Sequence, residues 1–461
     1  MDDNQTLAEN LMSSAMTSVF EAVTLLDTSA VILLVITLVV FFVPIFILFP
    51  PIPVERSDAL RQTHAKLGVP LPESNLRTQI SEIHYPQPGQ PARIQSLYIY
   101  PVKSCRGIEL KRSKVLPKGL EFDRLYTFAR LRPRPTGAAA NDPEQEKRPK
   151  WEIATLRQLS LLANVQVDLW LPDETKFSRL LGKTEDGFLV VRFPWKDAGI
   201  RGFLQLIAAK LSRGLGGVPE KEFMLPIEFP SQEEIKARGY HYEDIQFFGK
   251  AVYALNMGPE VPPELATYLE AKGPISLFRM DPAKRREVFK NAPRKEIVGF
   301  QPVVDFQDGY PLHLLNLTSV RALESNIQKD ETIDFLDARR FRPNIIVSGL
   351  REYDEDDWRS IQAKPTSNRR GQEVINFDVS CRTVRCKLPN VDPATGIRHR
   401  VEPDNALRKY RDIDEGAPRK GCFGMQLCPL FAGAEGPDRL QAHLEVGMEI
   451  NVLQRGPHFA L

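Results

Sequence analysis

The chain has 461 residues, with 61 Lys and Arg against 59 Asp and Glu and a formal net charge of +2. That length exceeds what one hydrophobic core usually supports and predicts two or three globular pieces. A near-neutral balance argues against a dedicated nucleic-acid binder and confines basic chemistry to local patches. Five cysteines, an odd number with no secretory cleavage pattern, do not read as a disulfide framework and point to reduced thiols in a cytosol-facing domain.

Residues 1–29 carry Asp2, Asp3, Glu9 and Glu21 but no Lys or Arg, so neither a signal-peptide n-region nor an Arg-rich presequence is visible, and a short non-cytosolic tail is expected. From Ala30 to Phe49 the sequence is uncharged and rich in Val, Ile, Leu and Phe. Twenty such residues in a helix span about 30 Å of hydrocarbon, which predicts a transmembrane anchor over 30–50. Pro44 within it is compatible with a membrane helix. Arg56, Arg61 and Lys66 follow on the C-terminal side, and the positive-inside rule then places everything after the anchor in the cytosol. Residues 51–92 are proline-rich and read as a tether with one short helix around Asp58–Leu67.

Globular sequence begins at Arg93. A strand is expected over Ile94–Tyr100, ended by Pro101, with Val102–Cys105 in a turn. Further strands are expected at Val165–Leu171, which alternates apolar and polar side chains, and at Phe188–Phe193. Leu131–Lys150, crowded with Pro, Glu and Arg, reads as an exposed loop. Gly202–Leu215 has helical spacing, with Leu204, Leu206, Ile207 and Leu211 on one side. In the second block, about Glu243–Leu453, a helix is expected at Ser319–Gln328, a strand after the polar turn Phe341–Asn344, and a closing strand over Val446–Leu453. No repeat is present at solenoid or propeller periods. The fold class is mainly β with minor α (α+β).

The stretch Val379–Asp392 holds the most informative chemistry. Cys386 lies between Arg385 and Lys387, and a neighbouring cation favours the thiolate, the form that attacks electrophiles or binds metal. The plain alternative is a half-buried strand cysteine. A zinc site from Cys381, Cys386, Cys422 and Cys428 is a further alternative, but the spacing lacks a tight C-x-x-C hairpin. Lys103 with Ser104, Arg124, Arg342 and Arg385 each follow or interrupt an apolar strand-like run. A ring of strand-end cations with a hydroxyl suits a phosphate-bearing anion. No Walker loop or Gly-x-Gly-x-x-Gly element supports ATP or NAD, and none of the seven histidines lies in a hydrolase nucleophile motif.

Taken in order, Tyr100-Pro-Val-Lys-Ser104, Phe122-Asp-Arg124, Phe341-Arg-Pro-Asn344, Arg385-Cys386 and Val391-Asp-Pro393 resemble the MOSC-domain proteins with an N-terminal MOSC β-barrel, and among them the mitochondrial amidoxime-reducing component family. The resemblance implies a MOSC N-terminal β-barrel over 93–240, a MOSC domain over 241–461 and a molybdenum-pterin cofactor (Mo-molybdopterin) between them. It implies Cys386 as the protein's thiolate ligand to molybdenum, a soft donor suited to that centre. Lys103, Ser104 and Arg124 from the first domain, and Arg342, Asn344 and Arg385 from the second, would bind the pterin, and Asp308 would be a catalytic proton donor. Gly309-Tyr310 stands where the family often has small hydroxyl residues, and Val384 where Ser is common. The implied reaction is reduction of amidoximes or hydroxylamines to amidines or amines. Its electrons would come from cytochrome b5 and its NADH-dependent reductase at the outer mitochondrial membrane. The alternative is a molybdenum-cofactor carrier or sulfuration module. The domain's association with pyridoxal phosphate comes from such sulfurases, but no pyridoxal-phosphate lyase domain precedes it here. A tethered scaffold with a degenerate site is a third reading.

Overall fold

The computed structural model describes residues 28–48, 56–132, 149–176, 185–366, 373–431 and 440–459, with side chains of the first helix given as far as Phe42. Met1–Asp58 with Lys196–Pro219 form one compact unit, and Ala59–Trp195 with Glu220–Leu461 form another. The expected tail, up to residue 27, and most of the expected loop, 133–148, lie outside the described residues.

Among the described residues the first unit contains two α-helices. Thr28–Leu48 is helical over 21 residues, without an acid in its first turn or a base in its last, and Ile32 to Phe42 are largely exposed. A transmembrane span is nevertheless not established there. Among the described residues no helix is long and apolar enough to cross a membrane. The second helix, Gly199–Arg213, lies close to where its periodicity predicts it.

The second unit is mainly β. A closed barrel runs through His241–Phe247, Lys250–Asn256, Ile275–Arg279, Tyr126–Arg132 and Lys150–Ile153. The expected boundary at 240/241 therefore falls inside a barrel that takes strands from both sides of it. An eight-stranded sheet includes Leu312–Asn316, Ile345–Ser348, Trp358–Lys364, Ile375–Val384, Cys422–Leu430 and Glu449–Arg455. Arg93–Ile99 joins it twice, pairing with Glu449–Arg455 on one side and with Ile345–Ser348 on the other, so the strand order returns on itself. Strands form where β-branched and aromatic side chains alternate inward. In Gln166–Pro172, Val167 and Leu169 are buried while Gln166 and Asp168 are half-buried.

Among the described residues the largest of three buried clusters draws on both β-systems. Ile94, Phe128, Leu255, Trp358 and Met425 belong to a single contiguous cluster, and burying each such side chain contributes roughly 1.5–3 kcal/mol. Gly119 illustrates how tightly the loops close. Its φ is +102°, and a Cβ there would stand 2.2 Å from the Pro311 carbonyl oxygen, so only glycine fits.

The predicted tether is, from residue 59 onward, part of the folded body. Instead of a helix over Asp58–Leu67, the chain makes a 3-10 turn at Arg56–Gln62 and then the strand His64–Leu67, which pairs with Gln166–Pro172. Leu76, Gln79 and His84 are buried, and the Gln79 side-chain oxygen accepts from the Ala338 amide at 2.9 Å. Proline density signalled irregular backbone correctly but carried no information about docking.

Two buried polar groups hold the eight-stranded system in register. The Asn344 amide donates to the Tyr98 carbonyl (3.1 Å) and accepts from the His313 amide (3.2 Å), linking strands far apart in sequence. Helix Leu317–Glu324 is shorter than the expected Ser319–Gln328, because Ser325 and Asn326 side chains donate back to the Ala322 carbonyl and compete with the next turn. Beneath its start, the buried Glu355 carboxyl accepts from Asn316 Nδ2 and Ser319 Oγ, each at 3.0 Å. Burial, followed by the charge of Asp356, pushes its pKa up from 4.5 to about 7.

Two outcomes follow. Asn344→Ala leaves a carbonyl and an amide without partners and lowers unfolding free energy by about 2 kcal/mol in denaturant titrations. Because the folded pKa of Glu355 lies above its unfolded value, its contribution is full below about pH 4.5 and is lost as pH rises through about 7. At roughly 1.4 kcal/mol per unit the loss is about 3 kcal/mol. Glu355→Gln flattens that slope between pH 4 and 8, a window set by the same shift.

Candidate functional site

Five turns at strand ends converge on one cavity of about 440 Å³. The first follows Arg93–Ile99: the Lys103 amide donates to the Tyr126 carbonyl at 2.8 Å, and Ser104 adopts φ +70°. In the second, the Arg124 amide donates to the Tyr100 carbonyl at 2.9 Å, with Arg124 at φ +48°. The buried Asp123 locks this turn by accepting from the Tyr100 amide (2.8 Å) and from Arg124 Nη1 (2.6 Å). The third follows the 3-10 helix Ala338–Phe341 and leaves Arg342 at φ +53°. The fourth is the end of strand Ile375–Val384, where Arg385 and Cys386 leave the sheet. The fifth, at residues 305–311, presents Gln307 and Asp308.

All the residues singled out in the sequence line this cavity: Lys103, Ser104, Arg124, Asp308, Arg342, Asn344, Arg385 and Cys386. Three of them hold left-handed backbone conformations that cost a non-glycine residue on the order of 1–3 kcal/mol each. Such outliers aim side chains that an unstrained turn would send elsewhere.

Charge in the cavity is only partly compensated. Lys103 Nζ donates to the Phe306 carbonyl at 2.7 Å and makes a close ion pair with Asp308. Arg124 has Asp123. Among the described residues Arg342 and Arg385 have no carboxylate partner, and Arg342 Nη2 and Arg385 Nε are buried without a hydrogen bond. Burial, then the charge of Arg124, brings Arg342 down to about 10. Burial likewise pushes Arg385 below its usual range. Buried cations without partners are costly unless an anion arrives. The Oγ of Ser104 and the Oγ1 of Thr383 are buried and unpartnered beside them.

Asp308, expected as a proton donor, pairs with Lys103 in the cavity wall. Its carboxylate faces the cavity, 65% exposed. Burial pushes its pKa up, but Lys103 first, and then Arg124 and Arg385, more than offset that and hold it below the usual value. Burial pushes the pKa of Lys103 down in turn, against the pull of Asp308. Asn344 departs from expectation. Both ends of its amide are committed to backbone, so it shapes the wall and has little left to offer a ligand.

Cys386 is exposed, whereas Cys105, Cys381, Cys422 and Cys428 are buried. Among the described residues no group of His, Cys, Asp and Glu could hold a metal ion as a cluster, so the four-cysteine zinc arrangement does not form. Cys386 also borders an adjoining depression of about 640 Å³ lined by Arg157, Lys387, Arg398, Arg400, Arg408 and Lys420.

Sequence reasoning missed Tyr100, His313 and Thr383. The Tyr100 ring lies under the guanidinium carbons of Arg342 and Arg124, at 4.1 and 4.4 Å, and burial raises its hydroxyl to about 12. Its place just before Pro101 was the available signal. Thr383, one residue before the strand ends, lines the same cavity as Arg385. His313 is held neutral by burial and by Arg385 and Arg124, and no sequence pattern marked it. Gly424 is glycine because a Cβ there would meet His313 Nε2 at 2.4 Å.

Arg342→Asn tests whether the guanidinium is held at a cost. Asn tolerates the left-handed conformation, so thermal stability is expected to be unchanged or higher by about 1 kcal/mol, while binding of inorganic phosphate measured by calorimetry weakens. A clear drop in melting temperature would contradict the assignment.

Comparison with known families identifies a MOSC N-terminal beta barrel domain at residues 91–169 and a MOSC domain at 301–450. The chain is similar to Mitochondrial amidoxime reducing component 2 of Rattus norvegicus, 25% identical over 346 residues that cover 74% of this chain and 78% of the relative. It is 24% identical over 331 residues to Mitochondrial amidoxime-reducing component 1 of Homo sapiens, covering 70% and 74%. To the Danio rerio component 1 it is 29% identical over 189 residues, 40% of this chain and 53% of the relative.

Proposed function

We propose that this chain, which matches a MOSC N-terminal beta barrel domain and a MOSC domain, is a molybdenum-cofactor oxidoreductase that reduces N-hydroxylated compounds to amidines or amines. One observation carries the reading. An exposed thiol, two guanidiniums without carboxylates and two orphaned hydroxyls meet in one cavity of about 440 Å³. That donor set fits an anionic pterin whose metal takes one protein sulfur.

In this reading Arg342 and Arg385 bind the cofactor's anionic groups, with Lys103 and Arg124 adding charge from the opposite turns. Guanidinium forks suit phosphate oxygens. Ser104 Oγ and Thr383 Oγ1 donate the hydrogen bonds they lack in the folded chain. Cys386 Sγ is the metal's protein ligand. Bound there, a molybdenum centre supplies two-electron reduction in which the substrate's hydroxyl oxygen leaves as water. Lys103 Nζ is positioned at the cavity wall by Asp308 and the Phe306 carbonyl. The basic depression beside Cys386 leaves that side of the thiol open to solvent and substrate.

The relatives' names speak of amidoxime reduction in mitochondria. By the same resemblance, electrons for this chain would come from cytochrome b5 and its NADH-dependent reductase. The uncharged helix Thr28–Leu48 would tether the chain at the outer mitochondrial membrane beside them, raising their local concentration.

Cys386→Ala on the full chain tests the reading. Since the side chain is exposed, melting temperature should hold, while benzamidoxime turnover with an artificial electron donor falls to background. Retained turnover in that variant refutes the ligand role. Molybdenum and pterin bound by a wild-type protein that turns nothing over would instead identify a cofactor carrier.

A further inference from the structure

Helix Gly199–Arg213 has an apolar face that the folded chain leaves open. Ile200, Phe203, Leu204, Ile207 and Leu211 are between 40% and 80% exposed. At 100° per residue these five positions fall within one arc of about 100°. The opposite side carries Gly202 and Ala209, both buried, so the helix is held by its small-residue face and turns its large apolar residues outward. Leu215 and Val218 continue the exposed surface beyond the helix end. No described segment covers it, and contiguous exposed apolar surface of this kind marks an interaction site.

Charge identifies the occupant. Residues 196–219 carry Lys196, Arg201, Lys210 and Arg213 against Asp197 alone. Arg201 and Lys210 fall on the two flanks of the apolar arc, about 60° beyond one edge and about 20° beyond the other on the helical wheel. Long basic side chains bordering an apolar face let the face sink into acyl chains while the cations stay at headgroup level. A protein partner would have to bring an acidic rim around an apolar groove, whereas an anionic bilayer surface presents both chemistries at once. The segment lies between the two matched family domains and groups with Thr28–Leu48 in the same compact unit, whose apolar side chains are also exposed.

We propose that Gly199–Arg213 is an interfacial helix that lies in the surface of an anionic membrane, inserting Ile200, Phe203, Leu204, Ile207 and Leu211. The contact is independent of the cofactor chemistry.

Amide hydrogen exchange on the full chain tests it, with vesicles of phosphatidylcholine alone and of phosphatidylcholine with phosphatidylserine. Exchange over 199–213 is expected to slow about tenfold with the anionic vesicles and less with the neutral ones. The double variant Phe203→Glu/Leu211→Glu should lose the slowing. These side chains are exposed, so unchanged exchange in the β-strands of the body confirms that the variant is folded. Exchange unaltered by either vesicle overturns the proposal. So does slowing that appears with rising protein concentration and no lipid, which would mean that a second copy covers the face.

Discussion

Arg124 and Arg342 lie over one tyrosine ring, and among the described residues only Arg124 of the two has a carboxylate partner. Much else at the site follows from that imbalance. Tyr100 gives the guanidiniums a polarisable face in place of water, yet stacking does not neutralise charge. Arg385 adds a third guanidinium, also without a carboxylate among the described residues. A folded chain keeps such groups only if the surrounding core over-determines their positions. Here it does: Ser104, Arg124 and Arg342 are each fixed in left-handed turns by neighbouring strand ends.

The body is interleaved for the same reason. Strand Arg93–Ile99 closes a sheet whose other members come mainly from the second half of the chain, and a closed barrel mixes strands from either side of residue 240. Turns that lie far apart in sequence are thereby bolted to one core, and Asn344 fastens two of the strands that carry them. The rigidity suits a site that must stay open and positively charged before any ligand arrives, because preorganised donors need no rearrangement when charge appears.

Much of this was legible in the sequence, unevenly. Short alternating runs placed Arg93–Ile99, Gln166–Pro172 and Phe188–Pro194 within a residue or two, since inward side chains must repeat every second position. The cations were legible because each interrupts an apolar run at a strand end. Pairing partners were not, so the interleaving and the docked stretch 59–92 were invisible: proline content reports local backbone, whereas docking depends on residues such as Ala338 that lie far along the chain. Asp308 lines the cavity and pairs with Lys103, a partner far away along the chain that no local pattern could reveal. Asn344 lines the cavity as expected, yet its amide is spent on strand register.

The central claim is that Cys386 gives its sulfur to a metal held in the cavity between these cations. X-ray absorption at the molybdenum edge on the full-length protein, wild type beside Cys386→Ser, measures this directly. The account predicts one more sulfur neighbour in the wild type than the pterin dithiolene supplies, replaced by a lighter scatterer in the variant. An identical sulfur count in both proteins, or no molybdenum in a wild type purified from cofactor-producing cells, would contradict it.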